Sequence, residues 1–281
     1  AMQIEHAGFE IVYVSGAAIS AAHGLPDIGL ISLTDMTREA SAIARSVALP
    51  TIVDADTGYG PPSVVREAVQ EFERAGLAGM QIEDQEEAKK CGHLSGKRLI
   101  PTADMVAKIT AAVEAKCDRD FVLVARTDAR AVDGLQAAIQ RGVAYANAGA
   151  DALFPEALLS ADEFHTFALE MNRAGVHLPL IANMTEFGKT PYLSVDEFET
   201  LGYRGVLFPV STLRVAALAV EKLLRELRFF GSQRAWLDHM MTRQELYSLL
   251  RYEHGQNQTG RPYEPGDTRT ARNKNHGTAP L

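Results

Sequence analysis

The sequence predicts an α/β protein whose parallel strands close into a (β/α)₈ barrel of the TIM type. Two observations predict this fold. Short apolar runs alternate with amphipathic helical stretches, and the apolar runs end in polar residues. Buried parallel strands have this appearance because the flanking helices cover them. A series of strand–helix units with polar tips at one end favours a closed barrel over an open doubly wound sheet.

Seven segments are predicted as strands, and each is almost continuously apolar up to its C-terminal end. They are Phe9 to Gly16, Thr51 to Asp56, Gly79 to Asp84, Phe121 to Thr127, Ala152 to Glu156, Leu178 to Met184 and Gly205 to Ser211. The stretches between them place apolar residues at i, i+3 and i+4, which indicates helices. Three of these helices are predicted to end at an Ala-Gly step, at Gly8, Gly76 and Gly149, because glycine adopts the left-handed conformation at little cost.

A single domain is predicted for residues 1–254, with a polar tail over residues 255–281. Residues 212–230 and 234–252 predict two extra C-terminal helices, and the second is a candidate for contacts between subunits. The tail has few aliphatic side chains, so we expect it not to pack on its own. The first strand of an eight-stranded barrel is not found in the series. We therefore expect either that residues precede Ala1 in the whole polypeptide or that another segment covers the gap.

Composition excludes several classes of protein. The 281 residues carry 28 Lys and Arg against 36 Asp and Glu, a net charge of −8, which disfavours nucleic-acid binding. The 2 cysteines provide no disulfide framework, and no apolar run reaches the roughly 20 residues of a membrane helix. A cytoplasmic protein without a membrane partner is expected. The absence of a P-loop and of a Gly-rich phosphate loop disfavours nucleotides and phosphorylated substrates.

The polar tips of the predicted strands indicate a metal site. Asp54 and Asp56 point to one face of their strand, as do Gln81 and Glu83 on the next. Clustered carboxylates repel unless a cation lies among them, and oxygen ligands favour Mg²⁺ or Mn²⁺ over zinc. The alternative is that neighbouring Lys or Arg side chains neutralise these carboxylates.

Residues 89–97 form a polar, glycine-bearing loop that contains Cys91. Two lysines and a histidine beside this cysteine lower the pKa of its thiol, which favours a role as acid or nucleophile, and the glycines allow the loop to act as a lid. The alternative is an incidental loop cysteine. Arg126, Arg214 and Arg243 are candidates for binding a small carboxylate substrate, although a single Arg is more often a surface group.

Eight short motifs resemble, in order and spacing, those of the isocitrate lyase and phosphoenolpyruvate mutase superfamily over residues 1–252, and most of all its methylisocitrate-cleaving branch. The motifs occupy residues 14–16, 25–27, 54–60, 82–85, 89–93, 125–129, 154–157 and 183–188. The Asp-Ala-Asp-Thr-Gly-Tyr-Gly run at 54–60 is typical of the superfamily. The Lys-Lys-Cys-Gly-His run at 89–93 is typical of its lyase-like branch.

The resemblance implies specific roles for residues. Asp54 is expected to bind Mg²⁺ directly, with Asp27, Asp56 and Glu83 holding its waters, and Mn²⁺ is a possible substitute. Cys91 is the implied catalytic acid, Arg126 and Glu83 are implied to assist, and Tyr13 or a metal-linked water is the base. The implied substrate contacts are Ser15, Gly16, Ala17, Gly92, Arg126, Glu156, Asn183, Met184, Thr185, Arg214 and Arg243. Ala17 replaces the Gly usual in the methylisocitrate-cleaving branch; isocitrate-cleaving members commonly have Trp there, so the small residue favours the methylated substrate.

The implied reaction is a retro-aldol cleavage of 2-methylisocitrate into pyruvate and succinate. The family fold implies a homotetramer in which a C-terminal helix is exchanged between paired subunits. Alternatives within the superfamily are isocitrate lyase, dimethylmalate lyase and oxaloacetate hydrolase activities. The alternative from another class is an inactive barrel that serves as an assembly partner.

Overall fold

The computed structural model describes residues 1–87, 89–90 and 96–252. The chain divides into two compact units, Ala1–Ser232 and Gln233–Leu281. The predicted tail at 255–281 lies outside the described residues.

The described part of the first unit contains seven parallel strands in chain order. They are β1 Val12–Val14, β2 Thr51–Asp54, β3 Gly79–Glu83, β4 Val122–Thr127, β5 Ala152–Pro155, β6 Ile181–Asn183 and β7 Gly205–Leu207. Strands β1 to β5 are hydrogen-bonded in sequence, β6 pairs with β7, and a parallel bridge between Leu153 and Leu180 connects the two groups. Each strand thus lies next to its predecessor, as in a barrel, and the predicted fold class is confirmed.

Helices follow the strands, as predicted. In the first unit they are α1 Met2–His6, α2 Gly16–Ala22, α3 Leu33–Ala44, α4 Pro62–Arg74, α5 Thr102–Ala115, α6 Leu135–Asn147, α7 Ala161–Arg173, α8 Val195–Thr200 and α9 Ser211–Phe230. The three predicted Ala-Gly stops have positive φ, 85° at Gly8, 84° at Gly76 and 101° at Gly149, so each glycine ends its helix as expected. In the described part of the chain, the helices are too short or too polar to cross a bilayer.

Side chains of the strands alternate between two apolar environments. On one face, Met80, Ile82 and Leu123 belong to the large core that contains the helices. On the other face, Val124 and Phe154 belong to a small separate cluster. This second face lines the barrel interior, because alternate residues of a strand point to opposite sides. Where the interior positions reach the C-terminal strand ends, they become polar.

The prediction of a single helix over residues 234–252 is wrong. In the second unit a 3₁₀ helix covers Arg234–His239, Met240 is extended, and α10 covers Arg243–Leu249. The hydroxyl of Thr242 accepts from the backbone N–H of Glu245, whose carboxylate accepts from the backbone N–H of Thr242. This capping box starts a new helix, and the Thr-x-x-Glu spacing was visible in the sequence.

Gly79 lies where β3 and β4 leave no room for a side chain, and we predict that Gly79→Ala destabilises the barrel. An added Cβ would lie 2.5 Å from the carbonyl oxygen of Val122, so β3 and β4 must separate. The expected loss is about 1 to 3 kcal/mol in the free energy of unfolding, measured by denaturant titration. Gly205→Ala is the matched control, because its Cβ would meet Ile181 at 3.6 Å, an ordinary contact. Equal stability of the two variants would contradict the prediction.

Candidate active site

Polar side chains meet at the C-terminal ends of β2 to β6. The converging residues are Asp54, Asp56, Gln81, Glu83, Arg126, Glu156 and Asn183, and all are buried. Strand register places them side by side, because Asp54 pairs with Gln81 and Glu83 pairs with Arg126. The strand tips therefore form one site, which is the usual position of an active site in a barrel.

Backbone N–H groups fix the direction of the Asp54 carboxylate. One oxygen accepts from the N–H of Gly16 at 3.1 Å, and the other accepts from the N–H of Asp56 at 3.2 Å. A Cβ at position 16 would lie 3.1 Å from Asp54 Oδ2 and 3.2 Å from Asp56 Oδ1. A side chain at position 16 would thus crowd both carboxylates, and glycine avoids this.

The turn after β2 has an unusual backbone that a buried lysine supports. Asp56 has φ of 48°, a conformation that non-glycine residues adopt rarely. The ammonium of Lys108, on α5, donates to the carbonyl of Thr57 at 2.8 Å. Burial lowers the pKa of Lys108. The sequence reasoning missed this residue, because a Lys on an apolar helix face gives no motif.

Lys89 lies among the acidic side chains. Its ammonium is 2.5 Å from Asp27 Oδ1 and 2.8 Å from Asp56 Oδ1. Burial alone would lower the pKa of Lys89, but the carboxylates around it, Asp54 first, outweigh burial and raise that pKa above its ordinary value. Lys89 is a permanent cation in this arrangement. The ion-pair alternative drawn from the sequence thus describes part of the site.

The residues at this position fit a divalent cation in charge and in ligand chemistry. Burial, followed by Asp54, raises the pKa of Asp56 to about 6, and Lys89 opposes this. Among the described residues, the buried Oδ1 of Asp56 has Lys89 as an ion-pair partner at 2.8 Å but makes no hydrogen bond of good geometry. The described residues contain no cluster of three ligands already in metal-binding geometry. Asp27, Asp54 and Asp56 are the residues that would hold Mg²⁺ or Mn²⁺, since both ions prefer oxygen ligands.

Arg126 is the second cation of the site. Its Nε and Nη2 donate to the two carboxylate oxygens of Asp128 at 3.0 and 3.1 Å. Its Nε is also 3.3 Å from Glu83, and its Nη1 is 3.9 Å from Glu156. Burial lowers the pKa of Arg126, but Asp128, Glu156 and Glu83 outweigh it and raise that pKa well above its ordinary value. Burial raises the pKa of Glu83, and Arg126 opposes this.

Besides Oδ1 of Asp56, two further buried polar atoms at the site have no hydrogen-bond partner among the described residues. They are Nε2 of Gln81 and Oδ1 of Asn183. The amide nitrogen of Asn183 donates to both oxygens of Glu156 at 3.1 Å, which fixes the orientation of the amide. Unpartnered polar groups are costly in a protein interior. A polar ligand that accepts from Gln81 and donates to Asn183 would remove this cost.

Tyr13 is placed as a hydrogen-bond donor. Its hydroxyl donates to Oε1 of Gln81 at 2.6 Å. Burial, followed by Asp54, raises the pKa of Tyr13 well above its ordinary value. Burial and the neighbouring carboxylates thus favour the neutral phenol, and the assignment of the base to Tyr13 or to a metal-linked water stays a prediction.

The remaining predicted residues have varied positions. Ser15 caps α2, where its hydroxyl accepts from the N–H of Ala18, and Ala17 follows within that helix. Met184 and Thr185 are buried directly after β6. Cys91 and Gly92 lie outside the described residues. Arg243 is the first residue of α10, in the second unit.

Arg214, at the start of α9, is tied to the loop after β6. Its Nη1 donates to the carbonyl of Glu186 at 2.9 Å and to its carboxylate at 2.7 Å, and its guanidinium lies 5.6 Å from the Phe187 ring centre. Through Glu186, the structure thus places Arg214 against the loop after β6. This loop starts just after Asn183 and contains Thr185.

The segment that includes Lys89 leaves and rejoins the barrel at one point. Gln85 forms an antiparallel bridge with Leu99, and the N–H of Glu86 donates to the carbonyl of Arg98 at 2.9 Å. The side-chain amide of Gln85 also exchanges hydrogen bonds with the backbone of Lys90, at 2.8 and 3.0 Å. The two ends of this segment are therefore held together directly above β3.

A family model described as phosphoenolpyruvate phosphomutase matches residues 1–228. The chain belongs to the phosphoenolpyruvate mutase/isocitrate lyase superfamily. Among curated relatives in this superfamily, a 2-methylisocitrate lyase of Aeropyrum pernix is 52% identical over 252 residues, which are 90% of this chain and 80% of the relative. The 2-methylisocitrate lyase of Bacillus subtilis is 46% identical, over 90% of this chain and 81% of the relative.

Solved structures of the superfamily have the same fold. A crystal structure of 2,3-dimethylmalate lyase has a TM-score of 0.83 at 36% identity and covers 89% of this chain and 82% of its own. Phosphonopyruvate hydrolase in complex with oxalate and Mg²⁺ has a TM-score of 0.78 at 30% identity, with 88% and 85% covered.

We predict that Lys89→Met destabilises the metal-free protein and increases its stabilisation by Mg²⁺. Removing the buried ammonium leaves Asp27 and Asp56 without their partner, so the melting temperature in EDTA is expected to fall by roughly 5 to 10 °C. Added Mg²⁺ should raise the melting temperature of the variant more than that of the wild type, because the ion no longer competes with Lys89. Lys90→Met is the control, since Lys90 is exposed. Identical Mg²⁺ shifts in all three proteins would refute the competition.

Proposed function

We propose that the protein is a magnesium-dependent carbon–carbon lyase that cleaves 2-methylisocitrate into pyruvate and succinate. The observation that carries this proposal is the carboxylate cluster of Asp27, Asp54 and Asp56 at the same end of the strands as Arg126, in a chain 39 to 52% identical to several curated 2-methylisocitrate lyases. A cation at the carboxylates and a guanidinium beside them suit a substrate with several carboxylates.

The substrate would be held between the two halves of the site. Bound Mg²⁺ would supply a Lewis acid that lowers the pKa of the substrate hydroxyl. Asp54 is oriented for this ion by Gly16 and by the backbone of Asp56. On the other side, Arg126 would bind the carboxylates that become succinate, and Oδ1 of Asn183 would accept from a donor group of the substrate. The amide of Gln81 offers a further donor to the substrate.

The reaction breaks the bond between C2 and C3 of the substrate. Loss of the C2 hydroxyl proton forms the carbonyl of pyruvate, and the electron pair of the broken bond moves to C3 and its carboxylate. Arg126 would stabilise this developing charge, since Asp128 fixes the guanidinium in a buried environment. A proton delivered to C3 completes succinate. By family resemblance, Cys91 is the proposed donor of that proton.

The decisive experiment offers the purified protein 2-methylisocitrate, isocitrate, 2,3-dimethylmalate and oxaloacetate in parallel. We expect equal amounts of pyruvate and succinate from 2-methylisocitrate and far lower kcat/KM for the other substrates. Excess EDTA should abolish turnover and Mg²⁺ should restore it, whereas Asp54→Ala should stay inactive at ordinary Mg²⁺. Preference for another substrate, or full activity in EDTA, would overturn the proposal.

Cys91→Ser is expected to lower kcat on the order of 10²-fold or more while succinate binding is retained, because a hydroxyl is a much weaker acid than a thiol. Steady-state kinetics and calorimetric titration with succinate measure the two properties. Cys117→Ser is the matched control, since Cys117 is an exposed thiol at a helix end. Normal turnover of Cys91→Ser would exclude this cysteine as the acid.

The protein is also proposed to form a homotetramer. The support is α9, whose residues are all exposed or only partly buried although many are apolar: Val215 is 71% exposed, Leu224 57% and Phe229 80%. Apolar faces of this size usually contact another chain. Light scattering should give four chain masses for the wild type and a smaller species for Leu218→Glu. Val195→Glu, at an exposed aliphatic residue of α8, should leave the mass unchanged. A monomeric wild type would refute the assembly.

A further inference from the structure

Asp84 is a buried carboxylate that the proposed mechanism does not use. It follows β3 directly, is fully buried, and accepts from four donors. Its Oδ1 accepts from the backbone N–H of Asp128 at 2.9 Å. Its Oδ2 accepts from the hydroxyls of Thr127 and Tyr145 at 2.8 and 2.7 Å and from Arg141 at 3.1 Å. Four donors match the full acceptor capacity of an ionised carboxylate, so the direction of Asp84 is fixed.

The hydrogen bonds around Asp84 have a defined direction. The Thr127 hydroxyl accepts from the N–H of Ala129 at 3.2 Å, so its own proton is available to Asp84. The Tyr145 hydroxyl accepts from Arg141 at 3.0 Å and therefore also donates to Asp84. Arg141 further donates to the carbonyl of Ile100 at 3.1 Å. The cluster thus joins the ends of β3 and β4 to α6.

Asp128 connects this cluster to the active site. Its backbone N–H is held by Asp84, and its carboxylate binds both Nε and Nη2 of Arg126. The same carboxylate accepts from Lys97 at 2.6 Å. With two guanidinium nitrogens engaged, the third, Nη1, is turned toward Glu156, at 3.9 Å. The direction of Arg126 therefore depends on the direction of Asp128.

We propose that Asp84, together with Tyr145 and Arg141 of α6, is a positioning residue that sets the direction of the Arg126 guanidinium through Asp128. Asp84 fixes the backbone after β4, and the fixed backbone aims the Asp128 carboxylate at Arg126. The inference rests on the proposed function, in which Arg126 stabilises the charge that develops on the succinate half. A guanidinium that is misaligned by a small angle loses much of its effect on the transition state.

The test compares Tyr145→Phe with Tyr203→Phe. Each change removes one hydroxyl from a fully buried tyrosine, but Tyr203 donates at 3.4 Å to the carbonyl of Phe164 and not to Asp84. We expect Tyr145→Phe to lower kcat with 2-methylisocitrate by roughly tenfold with little change in KM, as for a lost transition-state interaction. Tyr203→Phe should keep wild-type kcat.

A second pair of variants varies the hydroxyl at Thr127. Thr127→Ser keeps a donor for Asp84, whereas Thr127→Val removes it with similar shape. Thr127→Val should reproduce the loss of kcat, and Thr127→Ser should restore most of it. Melting temperatures of all variants are measured in parallel, so that kcat is compared well below unfolding.

A spectroscopic readout reports on Arg126 without any substrate. In protein labelled with ¹⁵N-arginine, the Nε–H resonance of Arg126 is identified by its loss in Arg126→Lys. Tyr145→Phe and Thr127→Val should shift it or speed its exchange with water, and the control variants should not. Wild-type kcat in Tyr145→Phe, equal losses in both tyrosine variants, or an unchanged Arg126 resonance would each overturn the inference. An inactive wild type would refute the proposed lyase function, while the resonance would still decide whether Asp84 positions Arg126.

Discussion

The structure depends on how buried negative charge is neutralised at the C-terminal ends of its strands. Parallel strands bring Asp54, Asp56, Glu83 and Glu156 within one small region, and burial makes each isolated carboxylate costly. Two cations offset this charge. Lys89 lies beside the carboxylates that follow β1 and β2, and Arg126 lies beside those near β3 to β5. The site therefore has two centres, in each of which one cation lies among carboxylates. Each centre would face a different half of the proposed substrate.

The two centres differ in how their cations are held. Arg126 is held by Asp128, and the hydrogen bonds of Asp84 fix Asp128 in turn. Lys89 comes instead from the loop after β3, and it contacts its carboxylates directly. A fixed guanidinium suits the stabilisation of charge in a transition state, which requires donors that do not reorganise. A cation on a loop suits a position that the proposed metal ion would have to enter.

Much of the fold and the site could be predicted from the sequence because both follow from local patterns. Apolar runs with polar tips located the strands, and Gly8, Gly76 and Gly149 marked helix ends. Asp54, Glu83 and Arg126 were identified because strand ends of a barrel converge. Asp84 and Asp128 were noted only as polar strand ends and received no role, and Lys108 was missed, since the importance of all three comes from contacts between distant segments. The helix break at Thr242 was missed because apolar periodicity was given more weight than the capping signal.

The paired ends of the segment between Gln85 and Leu99 have a consequence for how such proteins can diversify. Because the segment leaves and returns at one bridge, changes within it need not alter the spacing of β3 and β4. The strands and the charged residues at their ends then stay unchanged, and the residues between Gln85 and Leu99 can be exchanged as one unit. Transplanting this segment between members of the superfamily becomes a route to changing the chemistry of the site while the carboxylates of β2 and β3 stay as they are.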